Sequence, residues 1–224
     1  MKRVGVGAVL VALVVAGLAW WRCGAAPEAP RTRGVVVERV VPRGAVAVAL
    51  TASLAKSGGK LRVLQSLKVT GFLAQLQGFA DGDALADALV KELGVDVRSE
   101  ATLAEAGLDG ARGAAVFVLL DGRPVLALPL ADAERFNGTL ARLAGRRLGA
   151  SVMQQKQGSG ASATTFACPT CAVPALAWVP SNTYALVGDG KLVDQLLALA
   201  AMTESDALVQ DRDYLVRLRE LPRE

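Results

Sequence analysis

The sequence predicts an α+β domain with a mostly antiparallel sheet packed with helices, preceded by one N-terminal transmembrane helix or signal segment. Three observations carry that expectation. An uncharged run, Val4 to Trp21, comes directly after Lys2 and Arg3. Short apolar or alternating runs come in pairs around Asp-Gly, Gly-Ser and Ser-Asn turns, and between them lie stretches whose apolar residues recur at threes and fours. Strands adjacent in sequence, with helices before and after them, give an antiparallel sheet rather than a parallel one.

The first element is the apolar run. At ~1.5 Å per residue, a helix from Val4 to Trp21 reaches about 27 Å, close to the hydrocarbon thickness of a bilayer. A cleaved secretory signal shares the basic start and the apolar middle, and "CGAA" (23–26) offers it small residues. Against cleavage stand Trp20, Trp21 and Arg22, and paired tryptophans suit the membrane interface. Lipid attachment at Cys23 requires a small residue before the cysteine, where Arg22 stands. Residues 1–22 therefore read as signal or anchor. Residues 23–40 come next as a Pro-, Ala- and Arg-containing linker and 41–222 as the α+β domain. A start signal with so short a basic tail translocates the chain beyond it, so the body is expected outside the cytoplasm of a bacterial cell, on a single-pass membrane anchor.

Within the body, "GVVVERVVPRGAVAVAL" (34–50) brings β-branched residues in alternation, with 45–50 as a strand. Apolar positions from Leu61 to Phe79 mark a helical face. "DGDALADALVKELGVD" is a second helix, capped by Asp83 and stopped at Gly94, and 99–110 is a shorter helix of the same design. "GAAVFVLLDGRPVLALPL" (113–130) is a hairpin in which Asp121-Gly122 supplies positive φ angles. Being apolar on both faces, it belongs inside a sheet covered by helices. Residues 131–149 form an amphipathic helix with Phe136, Leu140 and Leu143 inward, ending on Arg146, Arg147 and Gly149. Two further hairpins come after it, one turning on Gly-Ser and the other on Ser181-Asn182. Two closing helices are capped by Asp189 and Asp211.

Composition excludes more than any motif includes. The chain of 224 residues contains no histidine, so Ser-His-Asp and Cys-His catalysis, His-ligated zinc and imidazole switching are absent. With Lys2, Arg3 and Arg22 set aside, the 25 Lys and Arg fall nearly level with the 21 acids. Such a body lacks the dense basic face that binds nucleic acid, and its scattered aromatics give bases no stacking platform. No cofactor motif is present. "VGDGK" (187–191) lacks the glycine spacing and hydroxyl residue of a phosphate loop, and "DGD" (81–83) with Asp87 lacks the later acidic ligand of a calcium loop. "RLAGRR" (142–147) reads as a solvated helix end rather than a lipid-headgroup contact.

Two of the three cysteines, Cys168 and Cys171, form a C-x-x-C. In thioredoxin-like sites such a pair opens a helix whose amides stabilise the thiolate. Here Pro174 and Pro180 forbid a regular helix after it, and no cation stands beside it in sequence. A zinc site would lack two ligands. Pro169-Thr170 suits a tight turn, so the pair is expected to be a disulfide at a hairpin tip, worth about 1–2 kcal/mol because the loop it closes is short. Free thiols and redox or intermolecular chemistry are the alternatives.

"VPRGAVAVAL", "LVKELGVDV" with "TLAEAGLDGARGAAVFVL", and "YALVGDGKLVDQLLALA" followed by "DALVQDRDYLVRLRELP" resemble, over roughly 40–222, the N-terminal half of a family of bacterial exported proteins of unknown function. Those proteins carry an N-terminal membrane segment and a repeated α+β domain. The resemblance implies no catalytic residue and no cofactor. The function expected is thus a membrane-anchored, extracytoplasmic, non-catalytic module binding a protein or envelope component. The alternative is an enzyme using carboxylates or the Cys168/Cys171 thiols. Tyr214, Leu215, Leu218 and Leu221 form one stripe on the last helix. That stripe either docks on the chain's own sheet or serves a partner, by self-association or capture of an envelope protein.

Overall fold

The computed structural model describes residues 37–56, 90–91, 94–150, 152–158, 160–170 and 172–214. The Val4–Trp21 run, the Leu61–Phe79 helix, Asp83, Cys171, Leu215, Leu218 and Leu221 lie outside the described residues. Among the described residues no helix is long and apolar enough to cross a membrane.

Among the described residues seven strands form one antiparallel sheet: β1 Ala47–Thr51, β2 Ala114–Val118, β3 Pro124–Pro129, β4 Val152–Gly158, β5 Ala161–Ala167, β6 Leu176–Ser181 and β7 Tyr184–Gly188. Their spatial order is β1-β2-β3-β7-β6-β5-β4. Two meanders, β1–β3 and β4–β7, therefore meet at a seam where β3 pairs with β7 from Leu126↔Val187 to Pro129↔Tyr184. The α+β class and the antiparallel sheet are as the sequence predicts.

Helices cover both faces of the sheet, which explains strands that are apolar throughout. All five residues of β7 are buried. Tyr184 and Leu186 enter a core with Phe117, Val125, Val179, Leu192 and Leu196, under helix α3 (Val193–Ala200) and the 3-10 turns Val37–Arg39 and Leu208–Gln210. Ala185 and Val187 point the other way, to a core with Leu103, Phe136, Leu140 and Trp178 under helices α1 (Glu100–Glu105) and α2 (Ala133–Leu148). Alternation along a strand sends neighbours to opposite faces, so a strand covered on both sides must be apolar at every position.

Local chemistry sets the helix ends. The Ser99 side chain accepts from the Thr102 N–H at the start of α1. Asp132 accepts from the Glu134 and Arg135 N–H groups at the start of α2, and Gly149, at φ +61°, closes that helix in the left-handed region. Phe136 and Leu140 of α2 are buried. Phe136 meets Trp178 edge-on, with ring centroids 5.3 Å apart. Gly94 has φ +69°, as a helix stop requires, and its N–H donates to the Val90 carbonyl at 2.7 Å.

The turns differ from expectation in detail. In the β2–β3 hairpin only Gly122 has positive φ, +81°. Asp121 instead uses its carboxylate to accept the Arg123 N–H at 3.1 Å, and the connection widens, the Leu119 N–H donating to the Arg123 carbonyl at 3.0 Å. A glycine closing a longer turn leaves the aspartate free for side-chain bonding. In the β6–β7 hairpin, Ser181 is the last residue of the strand, paired with Tyr184. The turn is Asn182-Thr183, because Asn182 at φ +54° tolerates the left-handed region. Nor are residues 37–41 strand. Val37–Arg39 is a 3-10 turn, and Val37, Val40 and Val41 are buried in the core, so the packed domain begins ahead of residue 41.

Candidate functional site

Among the described residues, a group of polar contacts joins 38–43 to 204–214. Pro42 bridges Ala207, the Leu208 N–H donates to the Val41 carbonyl at 2.8 Å, and the Arg43 N–H donates to the Asp206 carbonyl at 2.9 Å. Around these backbone bonds stand Arg39–Glu204 at 3.6 Å, Arg43–Asp211 at 4.0 Å and the Tyr214 hydroxyl donating to Glu38 at 3.3 Å. The ion pairs are exposed and weak singly. The anchoring comes from Val40, Val41, Ala207 and Leu208, all buried beneath them. A chain entering from the N-terminal side thus meets a fixed point at Val37.

Asp211 caps the helical turn at 212–214, accepting the Tyr214 N–H at 3.0 Å. Tyr214 packs against the core beneath α3, so the first residue of the expected docking stripe lies on the chain's own domain. Burial, followed by the neighbouring Glu38, pushes the Tyr214 phenol well above its ordinary value. Burial also pushes Tyr184 up to about 12, with Arg112 opposing and Glu38 and Asp109 reinforcing the shift. Both phenols are therefore neutral near pH 7. No sequence signal links Glu38 to Tyr214, because the contact depends on the closure of the whole sheet.

The β5–β6 connection runs from Cys168 to Ala175. It is longer than a tight hairpin tip, and residues 172–175 do not continue the strand. The cause is a close approach: a Cβ on Gly190 would lie 1.9 Å from the Pro174 carbonyl oxygen, so the loop backbone lies directly against the turn that opens α3. Cys168 is not a free thiol, and its sulfur lies 3.8 Å from the Thr170 hydroxyl. Its expected partner, Cys171, lies outside the described residues.

Most of the described aspartates act as caps or in ion pairs, and Asp206 accepts from the Thr203 hydroxyl. Asp132 and Asp189 cap α2 and the 3-10 turn before α3. Asp96 pairs with Arg98 at 2.8 Å, Asp109 with Arg112 at 3.0 Å, Asp121 with Arg123 at 2.6 Å and Asp194 with Lys156 at 2.6 Å. Hydrogen bonds from Arg123 and then Gln195 hold the exposed Asp121 carboxyl down to about 2. Among the described residues no three His, Cys, Asp or Glu side chains are grouped as a metal site requires. No protein family, curated protein or solved structure matches this chain.

Proposed function

We propose that this chain is a membrane-anchored, extracytoplasmic module without catalytic chemistry of its own, which binds a protein or envelope component. The observation carrying the reading is the Lys2-Arg3 start with the uncharged Val4–Trp21 run, followed by a short linker to a domain in which Val37 is the first core residue among those described. The clasp at Val37–Arg43 fits a tether, since it fixes where the linker meets the domain. The absence of histidine and the use of most described aspartates in caps and ion pairs favour binding over catalysis. The resemblance to exported bacterial proteins points the same way. Within this reading Cys168 and Cys171 form a structural disulfide, stable outside the cytoplasm. The test is protease added to intact spheroplasts, which digests the body if the orientation holds. Full protection, with digestion only after lysis, overturns it.

A further inference from the structure

Strand β4, "VMQQKQG", pairs with β5 in unbroken register from Val152↔Ala167 to Gly158↔Ala161, without a bulge. It stands at the end of the sheet, and among the described residues no strand pairs with its other side. Met153 to Gln157 are exposed in succession, on both faces of the strand. Natural edges of this kind are blocked by charge, proline, a bulge or shortness. β4 has no proline and no bulge, and its only charge is Lys156.

That charge is compensated. The Lys156 ammonium donates to Asp194 of α3 at 2.6 Å, so the residue that would repel a second β4 is neutralised from its own copy. We propose that two copies of this chain pair antiparallel through β4, joining their sheets into one across a two-fold axis. Pairing over the whole strand places Gln155 opposite its own symmetry mate, Gln154 opposite Lys156 and Met153 opposite Gln157. No two uncompensated charges then meet, and the two Gln155 amides face one another as a hydrogen-bonding pair. The interface is small, on the order of 1,000 Å² in total or less, which belongs to weak, reversible association.

The geometry provides a positional test in the full-length chain, with Cys23→Ser throughout. Opposed residues on antiparallel strands have Cα atoms about 4.5–5.5 Å apart, within disulfide reach. Gln155→Cys should therefore crosslink to itself under mild oxidation in cells. Gln157→Cys should not, because its mate lies four residues along the partner strand, about 13 Å away. Asp194→Asn should lower the Gln155→Cys dimer yield about threefold by uncovering Lys156, and adding Lys156→Gln should restore it. A Gln155→Cys yield no higher than that of Gln157→Cys overturns the pairing. So does crosslinking at Gln155→Cys to a different protein, or indifference to Asp194→Asn.

Discussion

The two ends of the sheet meet the same hazard differently. β1 is short and apolar, reading Ala-Val-Ala-Leu-Thr, with Leu50 37 % exposed and Val46 just before it 65 % exposed. It is held by close backbone contact, since a Cβ on Gly113 would stand 2.3 Å from the Thr51 carbonyl oxygen. The segment carrying Val40 and Val41 packs into the same core that Val48 borders. β4 is longer and polar, and side chains brace it: Lys156 to Asp194, the Asn137 amide to the Met153 sulfur at 3.3 Å, and Gly158 beneath Leu197. An edge fixed by backbone packing tolerates apolar side chains but no added atoms. An edge fixed by long side chains tolerates added atoms and relies on polarity to stay soluble.

Glycine substitutions give this contrast its largest expected effect. Gly113→Ala should cost about 3 kcal/mol, because the clash is with backbone that cannot rotate away. Gly158→Ala should cost under ~0.5 kcal/mol, because its nearest neighbour, 3.1 Å away, is the tip of the Leu197 side chain. Denaturant unfolding of the two variants measures the difference, and equal costs would break the comparison. Next in size, Val41→Ala should destabilise by about 2 kcal/mol as a cavity opens under the β1 end. Lys156→Ala at the other edge should cost under ~1 kcal/mol, since that pair is exposed.

Alkaline titration sharpens the β1 side. The chain has two tyrosines, and both sit at the core that the clasp closes. Their folded pKa values are raised, Tyr184 to about 12. The folded state therefore holds protons that the unfolded state releases near pH 10, and stability falls as pH rises above that value. Tyrosinate absorbance should stay absent through pH 10 in the folded chain and then appear together with loss of secondary structure. Independent titration of one tyrosine near pH 10 would show that the clasp is open.

Asp121 gives the smallest effect and the opposite sign. Its folded pKa is depressed from the ordinary carboxylate range to about 2. The turn gains stability from the ionised carboxylate above about pH 4, and that gain is lost as pH falls through about 2. Asp121→Asn should change the thermal midpoint only slightly at neutral pH, because the group is exposed. It should also flatten the acid limb of a melting-point profile.

Within the described residues, elements defined by local periodicity match the reading of the sequence. Phe136 and Leu140 recur at helical spacing and lie inward, and the apolar runs either side of Asp121-Gly122 are strands. Positions where a distant backbone intrudes are not legible in the same way. Pro174 has a strand's apolar neighbours, yet the Gly190 backbone lies against it and takes the place of a ladder partner. Val37, Val40 and Val41 belong to a β-branched stretch, yet Val37–Arg39 is a 3-10 turn, and Ala207 and Leu208 lie against Val41 and Pro42.

By itself the sequence determined the class, the succession of elements from α1 to α3, the caps at Asp189 and Asp211, and the absence of imidazole chemistry. Each depends on a side chain and neighbours within about one turn or one hairpin. Only the tertiary structure decided that β3 pairs with β7, which leaves β1 and β4 at the edges among the described residues, and that Glu38 meets Tyr214 across the clasp. Several strand orders satisfy the same apolar pattern. The choice among them depends on covering both faces of the sheet at once, which is a property of the whole packed chain.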